Sequence, residues 1–225
     1  MREAWRRIRP LLIGTTYYRT DPLVDRYLAS MAPAGGLSLL YIGQQIYSAA
    51  GIVAEKAIAA PMVPMLATQA NAGEWSEFRR SYQKRLLAMG GLTVLGYIIL
   101  LVTGERILNL LIGHGGVTRD NVHLLWVIMV ALVGFFIAGA MGVVTSKTFY
   151  AMGDTRTPTR MSIVTYTLYI PAKVLGFLRY GLIGLALVTS AYLFLNLVIQ
   201  VLLLEGYAIP RQGRQGQRIN AATEG

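Results

Sequence analysis

Long uncharged apolar runs alternate with short clusters of charge along this chain, and the runs have the length that spans a bilayer. A helix needs about 20 mostly apolar residues to cross the hydrocarbon core. Leu86 to Gly104, Asn121 to Ser146 and Tyr180 to Leu204 meet that requirement outright. Tyr27 to Ala54 is also free of charge, and beyond the pair Glu55-Lys56 a further uncharged run reaches Gly73. This predicts one long helix from about Leu37 to Thr68, bent near Pro61 or Pro64. Met161 to Leu178 is interrupted only by Lys173 and predicts another span, kinked at Pro171. The first stretch, Ile8 to Ala32, contains Arg19, Asp21, Asp25 and Arg26, charges that a bundle tolerates when they pair or line a wet cavity. The expectation is an all-α polytopic membrane bundle of about six transmembrane helices over 1–207. The basic tail, 208–225, is rich in Gly, Gln and Arg and is expected to be disordered against anionic lipid.

Composition and charge support that reading. Of 225 residues, 54% are hydrophobic and 14% charged, against about 25% charged in an ordinary soluble domain. The net charge of +10 would suggest nucleic acid in a soluble protein, but here the basic residues sit between apolar runs. With six spans, alternate loops share a side of the membrane. One side collects Arg2, Arg6, Arg7, Arg9, Arg79, Arg80, Lys84, Arg85, Arg156, Arg160, Arg211, Arg214 and Arg218, whereas the other holds only Arg106, Arg119 and Arg179. This bias places both termini in the cytoplasm and requires the charged first helix as a span. The apolar stretch Leu11 to Gly14 is too short for a cleavable signal peptide. No cysteine is present, and His114 and His123 form no metal-ligand pattern. No nucleophile stands beside a base and no phosphate loop appears, so an enzyme, a cofactor and a metal are not expected.

Several polar residues are candidates for function. Asp21 and Asp25 lie at i, i+4 on one helical face, flanked by Arg19 and Arg26; the four either line a cavity or neutralise one another in pairs. Glu55 and Lys56 point about 100° apart and need separate partners, either substrate or other helices. Gln44, Gln45, Tyr41 and Tyr47 form a polar patch early in the second helix, suited to a polar head group or to interhelical hydrogen bonds. Lys147 and Lys173 are expected to snorkel toward an interface. Glycines such as Gly51, Gly139, Gly142 and Gly184 are expected to mark close helix packing, with Gly139-Ala140-Met141-Gly142 as a seam.

The stretch Phe149-Tyr150-Ala151-Met152-Gly153-Asp154-Thr155-Arg156-Thr157-Pro158 predicts a helix stop at Gly153 and a new start capped by Asp154 or Thr157. It resembles the cytoplasmic turn of the MviN/MurJ type of lipid II flippase, in the multidrug/oligosaccharidyl-lipid/polysaccharide exporter superfamily. Asp25-Arg26-Tyr27-Leu28-Ala29-Ser30, Gly36-Leu37-Ser38-Leu39-Leu40-Tyr41, Val63-Pro64-Met65-Leu66, Gly181-Leu182-Ile183-Gly184-Leu185-Ala186 and the Leu111 to Thr118 loop follow in the same order. The resemblance implies one lobe, the C-terminal one, of a two-lobe flippase of the bacterial cytoplasmic membrane, acting in cell-wall (peptidoglycan) biosynthesis. It implies alternating access to an undecaprenyl-diphosphate-linked precursor, with membrane lipid and an N-terminal lobe or a second copy as partners. Gln45 stands where the family carries a cation toward the diphosphate, and Arg19, Arg26 or Lys56 could supply that charge instead. An exporter of another polysaccharide-lipid, a cation-coupled drug antiporter and a non-transporting or truncated subunit are the alternatives.

Overall fold

A computed structural model describes residues 21–32, 35–113 and 118–210, and every regular element among them is helical. The helices are α1 (Asp21–Ser30), α2 (Gly36–Ala54), α3 (Met62–Asn71), α4 (Trp75–Ile112), α5 (Arg119–Ala131), α6 (Val133–Ala151) and α7 (Arg156–Leu203). Four helical stretches, Gly36–Asn71, Trp75–Ile112, Val133–Ala151 and Arg156–Ala208, are long and apolar enough to cross a membrane. The chain is thus an all-α polytopic membrane bundle. Only the end of the first expected span, α1, falls within the described residues; Arg19, His114 and the tail beyond Pro210 lie outside them.

Three departures from regular helix shape the bundle. The first lies between α2 and α3. Pro61 has no N–H, and its ring crowds the carbonyl four residues back, so the preceding turn widens. Glu55–Ala59 forms a π turn in which the Ala60 N–H reaches the Glu55 carbonyl at 2.9 Å. Of the two prolines considered, Pro61 makes the bend, and Pro64 sits in the first turns of α3. The same device recurs at Leu204–Ala208, where the Ile209 N–H bonds the Leu204 carbonyl just before Pro210.

The second departure divides the expected Asn121 to Ser146 span at Leu132, between α5 and α6. Side chains from three other elements take the carbonyls that flank the break. Tyr47 on α2 donates to Met129 at 2.8 Å, Tyr97 on α4 to Val130 at 3.0 Å, and Ser190 on α7 to Ala131 at 2.6 Å. The Ser190 hydroxyl also accepts the Gly134 N–H at 3.0 Å. Gly134 is required there, because a Cβ would lie 2.3 Å from the Ser190 carbonyl oxygen.

The third departure is at Gly181, whose φ of 59° belongs to the left-handed region. Asn196 donates to Thr165, Tyr169 bonds Thr189 and stacks on Tyr192 with ring centroids 4.3 Å apart, and Gly176 abuts Gly184. These pairs mirror one another about Gly181, so 156–180 and 182–203 are two antiparallel limbs of a helical hairpin. The two expected spans are present, but the reversal sits at Gly181, while Pro171 stays within the first limb. Asp154 Oδ1 accepts the N–H groups of Arg156 and Thr157, both at 3.0 Å, so Asp154 rather than Thr157 caps the start of the hairpin.

Contacts between loops sort them onto two ends. At one end Arg79 and Gln83 of α4 bind Glu205, beyond the hairpin's second limb, at 2.6 and 2.8 Å. A core of Met62, Leu66, Phe78, Tyr82, Phe149 and Leu204 lies beneath them. At the opposite end the α1–α2 turn at Gly36 touches Leu182 at the hairpin tip, above a core of Leu28, Leu40, Leu108, Val122, Leu125 and Leu185. Among the described residues, Arg79, Arg80, Lys84, Arg85, Arg156 and Arg160 belong to the first end and Arg106, Arg119 and Arg179 to the other.

Of the glycines expected to mark close packing, Gly184 does so, but the Gly139-Ala140-Met141-Gly142 seam is not a packing contact at its glycines. Gly134, Gly176 and Gly184 do lie against backbone, but a Cβ added at Gly51, Gly139 or Gly142 would meet nothing within 4 Å. These three face open space. Ser190→Ala strands two buried backbone groups and should lower stability by about 1–3 kcal/mol, while Gly139→Ala should be neutral or slightly stabilising. Thermal unfolding of the purified variants in one detergent checks both outcomes.

Candidate functional site

Polar and charged side chains gather at three places, each set by the breaks and the hairpin just described. The deepest is an ion pair between α1 and the hairpin. Lys173 is fully buried, and its Nζ lies 2.5 Å from Asp25 Oδ1 and 4.8 Å from the Tyr169 ring centroid. Lys173 therefore does not snorkel, because its neighbours close over it. An ammonium without a counter-charge is costly in an apolar interior, and the Asp25 carboxylate together with the aromatic face offsets that cost. Asp25 is paired across the bundle rather than with its neighbour Arg26, whose side chain is exposed.

The second place is a groove between α2, α6 and the hairpin. A cavity of about 350 Å³ is lined by Gly139, Gly142, Ser146, Lys147, Asn196 and Gln200 among others. An adjoining one of about 280 Å³ is lined by Tyr47, Ser48, Gly51 and Glu55, and both share Gly139, Val143 and Leu193. The three open glycines form part of the walls, which is why there is space at all. Lys147 Nζ donates to Glu55 Oε1 at 2.7 Å, joining α6 to α2 where the π turn begins. Farther along the wall, Gln200 donates to Asn196 and accepts from Thr145 and Ser146, while Asn196 donates to Thr165. That network satisfies its own polar groups and fixes the wall in place.

The third is the outward face of α2, continued into the π turn by Lys56. Tyr41, Gln45, Ile52 and Lys56 recur at spacings of four and seven, which puts them on one stripe, and all four are exposed. α2 also exposes Ile42, Ile46 and Val53 beside these positions, whereas the middle of α4, 87–102, exposes apolar residues alone, Leu87, Leu95 and Val102 among them, as suits contact with lipid tails.

Of the residues singled out from the sequence, Asp25 and Glu55 each lie in an interhelical ion pair. Gln44 is half-buried, and Gln45, Lys56 and Arg26 are exposed outside the groove. Arg19 and the Asp21 side chain fall outside what is described. Lys147, Lys173, Asn196 and Gln200 carry more of the polar architecture than the sequence reading gave them. Asn196 and Gln200 had a usable signal, an i, i+4 pair of amides inside an otherwise apolar run. Lys173→Met leaves Asp25 buried without its counter-charge and should cost about 3–5 kcal/mol. The double variant Asp25→Asn/Lys173→Met should recover most of that loss, as read from thermal unfolding.

The profile of the lipid II flippase MurJ family matches residues 1–215. A probable lipid II flippase MurJ from Bdellovibrio bacteriovorus is 23% identical over 199 residues, a match covering 88% of this chain and 38% of the relative. A probable lipid II flippase MurJ from Vibrio cholerae is 24% identical over 190 residues, covering 84% and 36%. The solved structure of lipid II flippase MurJ in its inward closed conformation has the same fold, with a TM-score of 0.73 and 18% identity over 87% of this chain and 41% of that one. The chain thus spans less than half the length of the curated relatives it matches. Its helix order, its fold and a profile match running through nearly all of its length agree: the chain belongs to the lipid II flippase MurJ family.

Proposed function

We propose that this chain works as one lobe of a flippase that moves an undecaprenyl-diphosphate-linked peptidoglycan precursor, lipid II, across the cytoplasmic membrane. The observation that carries this reading is the outward stripe of α2. A Lys and a Gln among exposed positions are disfavoured against lipid, with up to about 2.5–3.5 kcal/mol for Lys at a helix centre. The stripe therefore belongs against a wet cavity closed by a second lobe, either a separate N-terminal chain or another copy. The chain's match to about two fifths of its relatives' length fits that role.

In this reading 1–207 is the lobe and 208–225 a cytoplasmic tail, and the basic end of the bundle faces the cytoplasm. Arg19, Asp21, Arg26, Gln44, Gln45, Glu55 and Lys56 are its cavity candidates, while Asp25, expected among them, is sealed against Lys173 and serves as a joint. Arg26 and Lys56 supply exposed positive charge for a diphosphate, and the amides of Gln44 and Gln45 suit sugar or headgroup oxygens. Transport follows by rocking of two helix bundles about the bound headgroup, without covalent chemistry. Expressed in bacteria depleted of their own lipid II flippase, the chain should restore growth when a matching N-terminal lobe is supplied and not when it is absent. No rescue in either case, with the protein inserted and stable, would count against lipid II as substrate.

A further inference from the structure

Among the residues that line the two joined cavities, Glu55 and Lys147 are the charged ones. Both are partly exposed, and among the described residues each side chain has the other as its one hydrogen-bond partner. An ammonium has three N–H donors and this one spends a single donor on Glu55. It sits beside an open floor made by Gly139 and Gly142, next to the Ser146 hydroxyl and the Asn196–Gln200 amide pair. Open space and a cation with two unspent donors, held beside a wall that its own hydrogen bonds fix in place, are the features that receive an oxyanion. The obstacle is Glu55, a carboxylate already occupying the cation.

We infer that Lys147 is an anion-binding residue for a diphosphate-class ligand and that Glu55 is its built-in competitor, so that an entering diphosphate displaces Glu55 and takes the ammonium. The exchange conserves the ion pair in kind: one carboxylate–ammonium contact breaks and one phosphate–ammonium contact forms. It also releases α2 from α6 at the first residue of the π turn, the point beyond which Pro61 divides α2 from α3. Anion entry is thereby tied to a loosened joint in the helix that carries the exposed polar stripe. The identity of the ligand as the headgroup of a lipid diphosphate rests on the function proposed above; the displacement itself does not.

The test is an equilibrium binding titration of the purified full chain in neutral phosphatidylcholine nanodiscs, with undecaprenyl diphosphate, inorganic pyrophosphate and phosphatidylglycerol as separate probes. Lys147→Gln should weaken diphosphate binding at least about tenfold, and Glu55→Gln should tighten it at least about threefold. In the double variant Glu55→Gln/Lys147→Gln the gain should vanish, because the competitor matters only while the ammonium is there. That pair of opposite signs, and its loss in the double variant, does not arise from a merely structural bridge. Loss of affinity in Glu55→Gln, or a gain that persists without Lys147, overturns the displacement. If the wild type binds undecaprenyl diphosphate and neither variant alters it, the anion site is wrong while the flippase reading stands. If pyrophosphate shows the expected pattern but undecaprenyl diphosphate does not bind, the displacement stands and the lipid-diphosphate reading falls. Equal behaviour of phosphatidylglycerol overturns the assignment to a diphosphate ligand.

Discussion

Everything in this bundle depends on how the backbone is satisfied where the α5–α6 span breaks at Leu132. Within a bilayer no water is at hand for a bare carbonyl, so an interrupted helix survives only where side chains complete it. Here three consecutive carbonyls, those of Met129, Val130 and Ala131, are met by Tyr47, Tyr97 and Ser190 from three different elements. The break is consequently the point where α2, α4 and the hairpin are all pinned to one another. Tyr47 also stacks on Phe136 with centroids 4.6 Å apart, so the same residue ties the break to the wall of the groove just beyond it.

Around that junction the glycines do two opposite things. Where backbone meets backbone, at Gly134 against Ser190 and at Gly176 against Gly184, they permit a contact that any side chain would block. Toward the groove, at Gly51, Gly139 and Gly142, they leave volume empty between helices that are already held apart by their other contacts. The two ion pairs differ in the same way. Lys173 and Asp25 are sealed in, which suits a fixed joint between α1 and the hairpin. Lys147 and Glu55 remain open to the groove, which suits exchange of partners.

Much of this architecture was legible in the chain. Apolar run length located the spans, the alternation of basic loops matched the two ends of the bundle, and Pro61 and Asp154 behaved as their local chemistry requires. What escaped were the relations between helices. Lys173 looked able to snorkel because its run is otherwise apolar, yet burial depends on which neighbours close over it, and these include Asp25 of α1 and the Tyr169 ring one turn back. The Leu132 break lies in a continuous apolar run with no proline, and the side chains that complete it, Tyr47, Tyr97 and Ser190, stand far away along the chain. Gly139 and Gly142 read as a packing seam because sequence spacing reports which face a residue takes but not what stands opposite. Asp25 and Glu55 were visible as charges that need partners, whereas the partners were not.

A flippase lobe of this kind needs the outward face of α2 to be the wall of a wet cavity and not a lipid-facing surface. The chain contains no cysteine, so single cysteines can be introduced one at a time and labelled without background. The most direct measurement is the reactivity of Gln45→Cys and Lys56→Cys toward a membrane-impermeant maleimide in membrane vesicles opened to both sides, set beside Leu95→Cys and Val102→Cys on α4. Gln45→Cys and Lys56→Cys should react and the two α4 positions should not. Equal protection at all four would mean that α2 faces lipid, and that this lobe does not border a transport cavity through that face.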